Sequence, residues 1–291
     1  MVLRVRQVPV SVLCDSLQED WVDATKKPFV KGDTAFIPVK EHYHSEGVLD
    51  RRKPYQGRGY HMIGDVALVR GRKPSAEELE NLVSWRKPRG VLWIRSVQGD
   101  ERIPESELVY GTAGEVIHRE QGLSYVLDPS KVMFSQGNRP EKVRMAALVR
   151  PGEAVADMFA GIGYFSIPMA HAGAVVHAME INPVAFRYLE INTRLNHLEA
   201  VLEPECGDCR LLLDGYYDRI VMGHFSSRDM VSDALEHVHR GSKMHIHSSG
   251  KVPPEIAKTI EEAGYDPIIV VRTVKKTGPG NWHFVQDVVL R

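Results

Sequence analysis

The sequence predicts an α/β protein, with a seven-stranded Rossmann-like sheet closed by an antiparallel hairpin and a smaller α+β domain in front of it. Three observations predict it. From residue 151 onward, short apolar runs alternate with helical stretches at regular intervals, as parallel strands joined by crossover helices do. Two long β-rich runs close the chain across Gly278-Pro279-Gly280, and so short a connection forces them antiparallel. Before residue 150 the texture changes to strands parted by Gly, Pro and charged turns.

In the first part, strands are predicted at 35–39, 65–70, 90–96 and 108–119, with a short helical patch at 10–17. Ser75-Ala76-Glu77-Glu78 starts a helix with capping-box spacing, in which Ser75 accepts from first-turn amides and Glu78 reaches back. Residues 128–150 read as a connecting segment, so the domains are expected at 1–127 and 151–291. The second part opens with a strand ending at 155–158, a glycine turn and a helix over 164–171. Strand 174–179 leads into a helix over 183–198, where the missing N–H of Pro183 costs nothing in the first turn. Strands 201–206 and 217–222 follow, then a helix at 230–239, a strand at 243–247 and a helix at 254–263 stopped by Gly264. The hairpin strands are predicted at 268–275 and 282–290.

The chain has 291 residues, 43% hydrophobic and 26% charged, the balance of a folded globular protein. A net charge of −1 excludes a histone-like polycation. The charge is unevenly spread: 24 basic against 20 acidic residues up to 150, and 13 against 18 beyond. Between Arg51 and Arg95 there are eleven Lys and Arg against four acids, with Tyr55, Tyr60, Trp85 and Trp93 interleaved. Such a stretch can hold phosphates and stack on unpaired bases, although Trp93, within its strand, is expected in the core. Three cysteines do not make a disulfide framework and suggest a reducing compartment. The start has no signal-peptide pattern, and no apolar run approaches the roughly 20 residues of a spanning helix. A cytoplasmic protein with no membrane partner and no obligate protein partner is expected.

Asp157-Met158-Phe159-Ala160-Gly161-Ile162-Gly163 sits at a strand end and opens a helix, where open α/β sheets bind ligands. Gly161 and Gly163 let backbone approach a ligand and take up positive φ. Glu180 ends the next strand, where a carboxylate can accept from both hydroxyls of a ribose. Asp208, in Gly207-Asp208-Cys209, ends the third and can accept the exocyclic amine of adenine. Three acids at successive strand ends make an adenosine site; the plainer alternative is three surface acids capping helices. A dinucleotide fold wants a third glycine, which is absent after Gly163, and an acid at Asp157 would repel a pyrophosphate. Asp157 suits the ammonium or sulfonium of S-adenosylmethionine instead. One Cys-x-x-Cys, Cys206 to Cys209, lacks the four ligands of a structural zinc, so no metal is expected.

The segment Asp157 to Gly163, preceded by Val132-Met133-Phe134-Ser135 and followed by Gly278-Pro279-Gly280-Asn281-Trp282-His283, resembles a family of tRNA-modifying enzymes. These act on the purine 3′ of the anticodon. The family has two branches, the guanine-N1 methyltransferases and the wybutosine-pathway aminocarboxypropyltransferases. The resemblance runs from about residue 63 to 291 and is strongest over 132–163. It implies a class I methyltransferase-like fold and S-adenosylmethionine contacts at Ser135, Lys142, Glu180, Asp208 and Cys209; the position of Lys142 is often Arg. After the fourth strand the methyltransferase branch carries Asn-Pro-Pro-Tyr, whereas this chain has Met222-Gly223-His224-Phe225. Both this departure and His245-Ile246-His247 resemble the aminocarboxypropyl branch. The resemblance therefore implies transfer of the 3-amino-3-carboxypropyl group to 4-demethylwyosine in phenylalanine tRNA, with release of methylthioadenosine.

The sulfonium activates all three carbons on sulfur, so the protein selects among them by orientation. Asp157 is expected beside the amino-acid end of the cofactor, with Gly223, His224 and Phe225 shaping the acceptor pocket. Arg51, Arg52, Lys53 and Arg58 in the basic stretch, and Arg139 and Arg144 near the cofactor segment, are the expected contacts to the tRNA anticodon stem-loop region. A guanine-N1 methyltransferase with an altered motif is the near alternative. A non-catalytic tRNA-binding module is the alternative from another class.

Overall fold

Seven strands form the large sheet of the protein, seen in a computed structural model that describes residues 2–50, 55–99, 101–278 and 280–291. They are β1 (Ala154–Asp157), β2 (Val175–Glu180), β3 (Leu202–Cys206), β4 (Tyr217–Met222), β5 (Val238–Ser249), β6 (Pro267–Gly278) and β7 (Asn281–Leu290). Their order is β3-β2-β1-β4-β5-β7-β6, with β1 to β5 parallel and β7 antiparallel to both β5 and β6. Side chains alternate between the faces of a strand, so each face collects its own core. Val155 and Val221 belong to one buried cluster, and Ala156, Ile220 and Met222 to the other. The order reverses at β1, which places the crevice beyond the carboxyl ends of β1 and its neighbours.

Local chemistry explains the element ends. The helix Pro183–Leu195 starts on Asn182, whose side chain accepts from Val184 N at 2.8 Å and Ala185 N at 3.3 Å, with Pro183 in the first turn as the sequence predicts. Ser75 and Glu78 form the predicted capping box at the start of the helix Ala76–Arg86. That helix joins Val66–Arg70 to Gly90–Gln98 as parallel neighbours in a second sheet. Two expectations fail for local reasons. The single strand at 108–119 is instead Ile103–Gly111 and Val116–Glu120, parted where Gly111 and Gly114 take φ of +64° and +116°. The helix at 230–239 ends at Leu235, and Val238 already pairs with Tyr217 in the sheet.

The chain divides into compact units at Gly57 and Arg58 rather than at 127 and 128. The first unit is a four-stranded antiparallel sheet in the order Phe29–Lys31, Thr34–Pro38, Val2–Pro9, Gly47–Asp50, with Val5, Ala35 and Ile37 buried. The boundary lies there because residues 58–127 are built into the second unit's core. Leu123, Tyr125 and Leu127, on the strand Leu123–Leu127, share a cluster with Met145, Ile162 and Leu189. Asn192 accepts from Val126 N at 2.6 Å and donates to Val126 O and Ile162 O, and Asn196 clasps both backbone groups of Ser124. A helix face thus satisfies a sheet edge that would otherwise be left unpaired. The expected connecting segment at 128–150 holds the ten-residue helix Arg139–Leu148, which buries Glu141, Lys142 and Met145. No described helix is long and apolar enough to cross a membrane.

Candidate active site

A cavity of about 770 Å³ opens at the carboxyl ends of β1, β2, β3 and β4. This is the size and place expected of a small-molecule site in an open α/β sheet. It gathers Ser135, Lys142, Gly161, Glu180, Asp208, Cys209, Gly223, His224 and Phe225, nine residues expected from the sequence. It does not include Asp157 or Gly163.

Glu180 is 8% exposed at the end of β2. Its Oε2 accepts from Gly161 N at 2.7 Å and its Oε1 from Asn182 N at 2.8 Å. Burial pushes its carboxyl up from the usual range, against the pull of those two amides. Each oxygen keeps a lone pair, so the carboxylate is pre-oriented for two vicinal hydroxyls. Gly161 holds φ +59°, and a Cβ there would stand 2.3 Å from the Tyr164 ring, so only glycine shapes this turn. Asp208 lines the cavity while capping Arg210 N at 3.0 Å and ion-pairing with the Arg210 guanidinium. Cys209 is buried with Sγ 3.8 Å from Met230 Sδ, and burial pushes its thiol up to about 12, an apolar wall rather than a nucleophile.

Asp157 departs from expectation. It is fully buried behind the glycine turn, where its carboxylate accepts from Ser166 Oγ at 2.6 Å and Phe159 N at 3.3 Å. It braces the turn; it does not border the cavity. Gly163 likewise serves packing, since a Cβ would meet Ile167 Cδ1 at 2.5 Å. Burial raises the Asp157 carboxyl from an ordinary 3.8 to about 6. The folded protein therefore holds a proton that the unfolded chain releases near pH 3.8, and the contribution of Asp157 to stability declines as pH rises from about 4 to about 6. The decline is roughly 3 kcal/mol. Relative to the parent, Asp157→Asn is expected to gain that much stability between about pH 4 and pH 6 in urea melts; a stability difference that does not change across the range would overturn this assignment.

Four cations line one end of the cavity: Arg70, Arg102, Lys142 and Lys275. Lys142 is 1% exposed, ion-paired to Glu120 at 3.0 Å and 4.2 Å from the Phe134 ring centroid. Lys275 donates to Ser135 Oγ at 3.0 Å. Burial, then Arg70, Arg102 and Lys142, push its ammonium down to about 8. Arg102 has a buried Nε with no hydrogen-bond partner, and its guanidinium lies 5.8 Å from the Phe225 ring centroid. Such a set of cations is complementary to an anionic group. Arg70, Arg102, Lys275 and His283 were absent from the expected site. His283 closes the motif Gly278 to His283 that carries the resemblance, whereas Lys275 only ends a predicted strand; Arg70 and Arg102 lie in the segment expected to belong to another domain.

The wall expected to receive the acceptor follows β4. Gly223 admits the Phe165 ring, whose Cε2 would lie 3.1 Å from an added Cβ. His224 stacks on Phe159 with centroids 5.5 Å apart, and its Nδ1 is bonded to Ser226. Phe225 meets His283 edge-on at 5.0 Å.

The expected tRNA contacts fare unevenly. Arg51, Arg52 and Lys53 lie outside the described residues. Arg58 donates to Arg70 O, and Arg139 is exposed at the start of its helix. Arg144 is engaged internally: it bridges Glu141 and Asp287, with 2.8 Å to Asp287 Oδ2, so it is a structural ion pair rather than a surface contact. Trp93 is half-buried, its Nε1 donating to Gly71 O at 2.8 Å under the Lys73 and Arg95 cations. Among the described residues, no three His, Cys, Asp or Glu come together as metal ligands.

The residues fit S-adenosylmethionine: an anchored carboxylate for the ribose, a glycine turn, and a cationic end with an unpartnered buried guanidinium nitrogen. Residues 116–266 match the model of the TRM5/TYW2 methyltransferase domain. A relative from Methanocaldococcus jannaschii, a tRNA(Phe) (4-demethylwyosine(37)-C(7)) aminocarboxypropyltransferase, is 35% identical over 243 residues, covering 79% of this chain and 97% of the relative. A relative of the same name from Pyrococcus horikoshii is 35% identical over 297 residues, 98% of this chain and 95% of its own. The crystal structure of P. horikoshii TYW2 in complex with MeSAdo superposes with a TM-score of 0.71 at 31% identity, over 81% of this chain and 92% of that one. By this family match and these relatives, this chain belongs to the TRM5/TYW2 family of tRNA-modifying, S-adenosylmethionine-dependent transferases.

Proposed function

We propose that this enzyme transfers the 3-amino-3-carboxypropyl group of S-adenosylmethionine to C7 of 4-demethylwyosine in phenylalanine tRNA and releases methylthioadenosine. The observation that carries the reading is the contact between the cationic end and the acceptor wall, where Arg102 stands 5.8 Å from Phe225. A carboxylate held at Arg102 and Lys275 draws the amino-acid chain alongside the wall that receives the base. The γ-carbon is thereby presented, whereas a methyltransferase presents the methyl. Met222-Gly223-His224-Phe225, without the prolines and amide of Asn-Pro-Pro-Tyr, supports the same choice.

When bound, the cofactor supplies an electrophilic carbon beside a sulfonium. The chain's own residues bind and orient. Glu180 takes the ribose hydroxyls, Asp208 faces the adenine amine, and the apolar walls of Phe159, Phe165 and Cys209 exclude water. Arg139 and the basic stretch from Arg51 to Arg58 are suited to the anticodon stem-loop, which makes tRNA affinity fall steeply with salt. Chromatography of the reaction with tRNA carrying 4-demethylwyosine tests the assignment. Methylthioadenosine is the expected by-product, and S-adenosylhomocysteine alone would mark a methyltransferase.

A further inference from the structure

Alkylation of a ring carbon leaves a proton to remove, and none of the residues assigned so far takes it. His283 lines the cavity at 2% exposure, edge-on to Phe225 of the acceptor wall. Its Nε2 is 2.7 Å from His247 Nδ1, while its Nδ1 is buried with no hydrogen-bond partner. His247 is fully buried, and its Nε2, also without a hydrogen bond, lies 4.0 Å from Glu141 Oε1. Two imidazoles therefore stand in line from the cavity to a buried carboxylate.

We infer that His283 is the general base of the transfer, with His247 as the positioning residue that holds its tautomer. This rests on the aminocarboxypropyl reading of the site. The electron pair of C7 forms the new bond to the γ-carbon, and the γ-carbon–sulfur pair leaves with sulfur in methylthioadenosine. The C7–H pair then returns to the ring as the proton passes to His283 Nδ1. His283 keeps its Nε2 proton toward His247 Nδ1, and the proton taken on Nδ1 leaves through the cavity. Several other titratable groups near the acceptor wall have partners of their own, Lys275 through its bond to Ser135 among them. His224 Nδ1 is bonded to Ser226, Glu180 to two backbone amides, and Glu141, itself outside the cavity lining, to Arg144. Burial, then Lys275 and Arg102, hold the His283 imidazole down to about 4, which keeps it neutral at physiological pH.

Two measurements test this. In full-length protein labelled with 15N-histidine, His283 is expected to be neutral with an unprotonated Nδ1 at neutral pH; a protonated Nδ1 overturns the assignment. In single turnovers, His283→Gln and His283→Ala are expected to slow transfer on the order of 10²–10⁴-fold. S-adenosylmethionine affinity should stay unchanged, and added imidazole should restore part of the rate of His283→Ala. Should the alanine variant lose cofactor binding, the glutamine variant, which retains a partner for His247, decides. A parent enzyme that transfers beside a His283→Gln variant that matches its rate overturns this inference alone. A parent that attaches no aminocarboxypropyl group overturns the transfer reading as well.

Discussion

Glu180→Gln is expected to weaken S-adenosylmethionine binding on the order of 10²–10⁴-fold, because hydrogen bonds to a charged group contribute roughly 1.5–3 kcal/mol each. The size of the effect follows from how the carboxylate is held. Both of its oxygens accept backbone N–H bonds, from Gly161 and Asn182. An amide must turn an NH₂ toward one of those N–H groups, so it loses an anchor as well as the charge. The glycine turn is then unsupported on one side. Isothermal titration checks this directly, and undiminished affinity would remove Glu180 from the ribose site. Thermal melts should accompany the titration, since the freed amide of Gly161 or Asn182 is left without its acceptor.

Arg102→Ala should separate two ligands that share an adenosine. Its guanidinium has a buried nitrogen without a partner, and the proposed transfer assigns it the carboxylate of the amino-acid chain. Loss of one charge-assisted bond is expected to weaken S-adenosylmethionine about 10- to 100-fold. Methylthioadenosine, which lacks the carboxylate, should bind as before. Lys275→Met should behave the same way and also raise the melting temperature of the free protein. Burial and three neighbouring cations hold the Lys275 ammonium down to about 8, so its charged form is disfavoured in the folded state at any pH below that. Equal weakening of both ligands by Arg102→Ala would locate the carboxylate elsewhere.

Much of the large sheet was legible because its signals are local. The strand-end acids, the glycine turn and Pro183 each report a backbone position within a few residues, and the structure brings Glu180, Asp208 and Gly161 to one cavity. Asp157 was misread for the converse reason. An acid before a glycine turn looks the same in sequence whether it faces a ligand or folds back onto Ser166, and only packing distinguishes the two. The boundary at 127 failed because the clasp of Asn192 and Asn196 on the strand Leu123–Leu127 joins residues some seventy positions apart. The same non-local assembly hid Arg70 and Arg102, which come to the cavity from strands and turns expected in another domain. Arg144 shows the limit of counting charges: its partners, Glu141 and Asp287, are three and 143 residues away. The hairpin was predicted as a fold feature, yet its ends also deliver Lys275 and His283 to the site.

The central claim is that this cavity directs the γ-carbon, and not the methyl, of S-adenosylmethionine to the tRNA base. Incubation of the enzyme with tRNA bearing 4-demethylwyosine and cofactor labelled with 3H in the methyl and 14C in the carboxyl tests it most directly. The account predicts that 14C enters the tRNA while 3H leaves in methylthioadenosine. Transfer of 3H without 14C would contradict it.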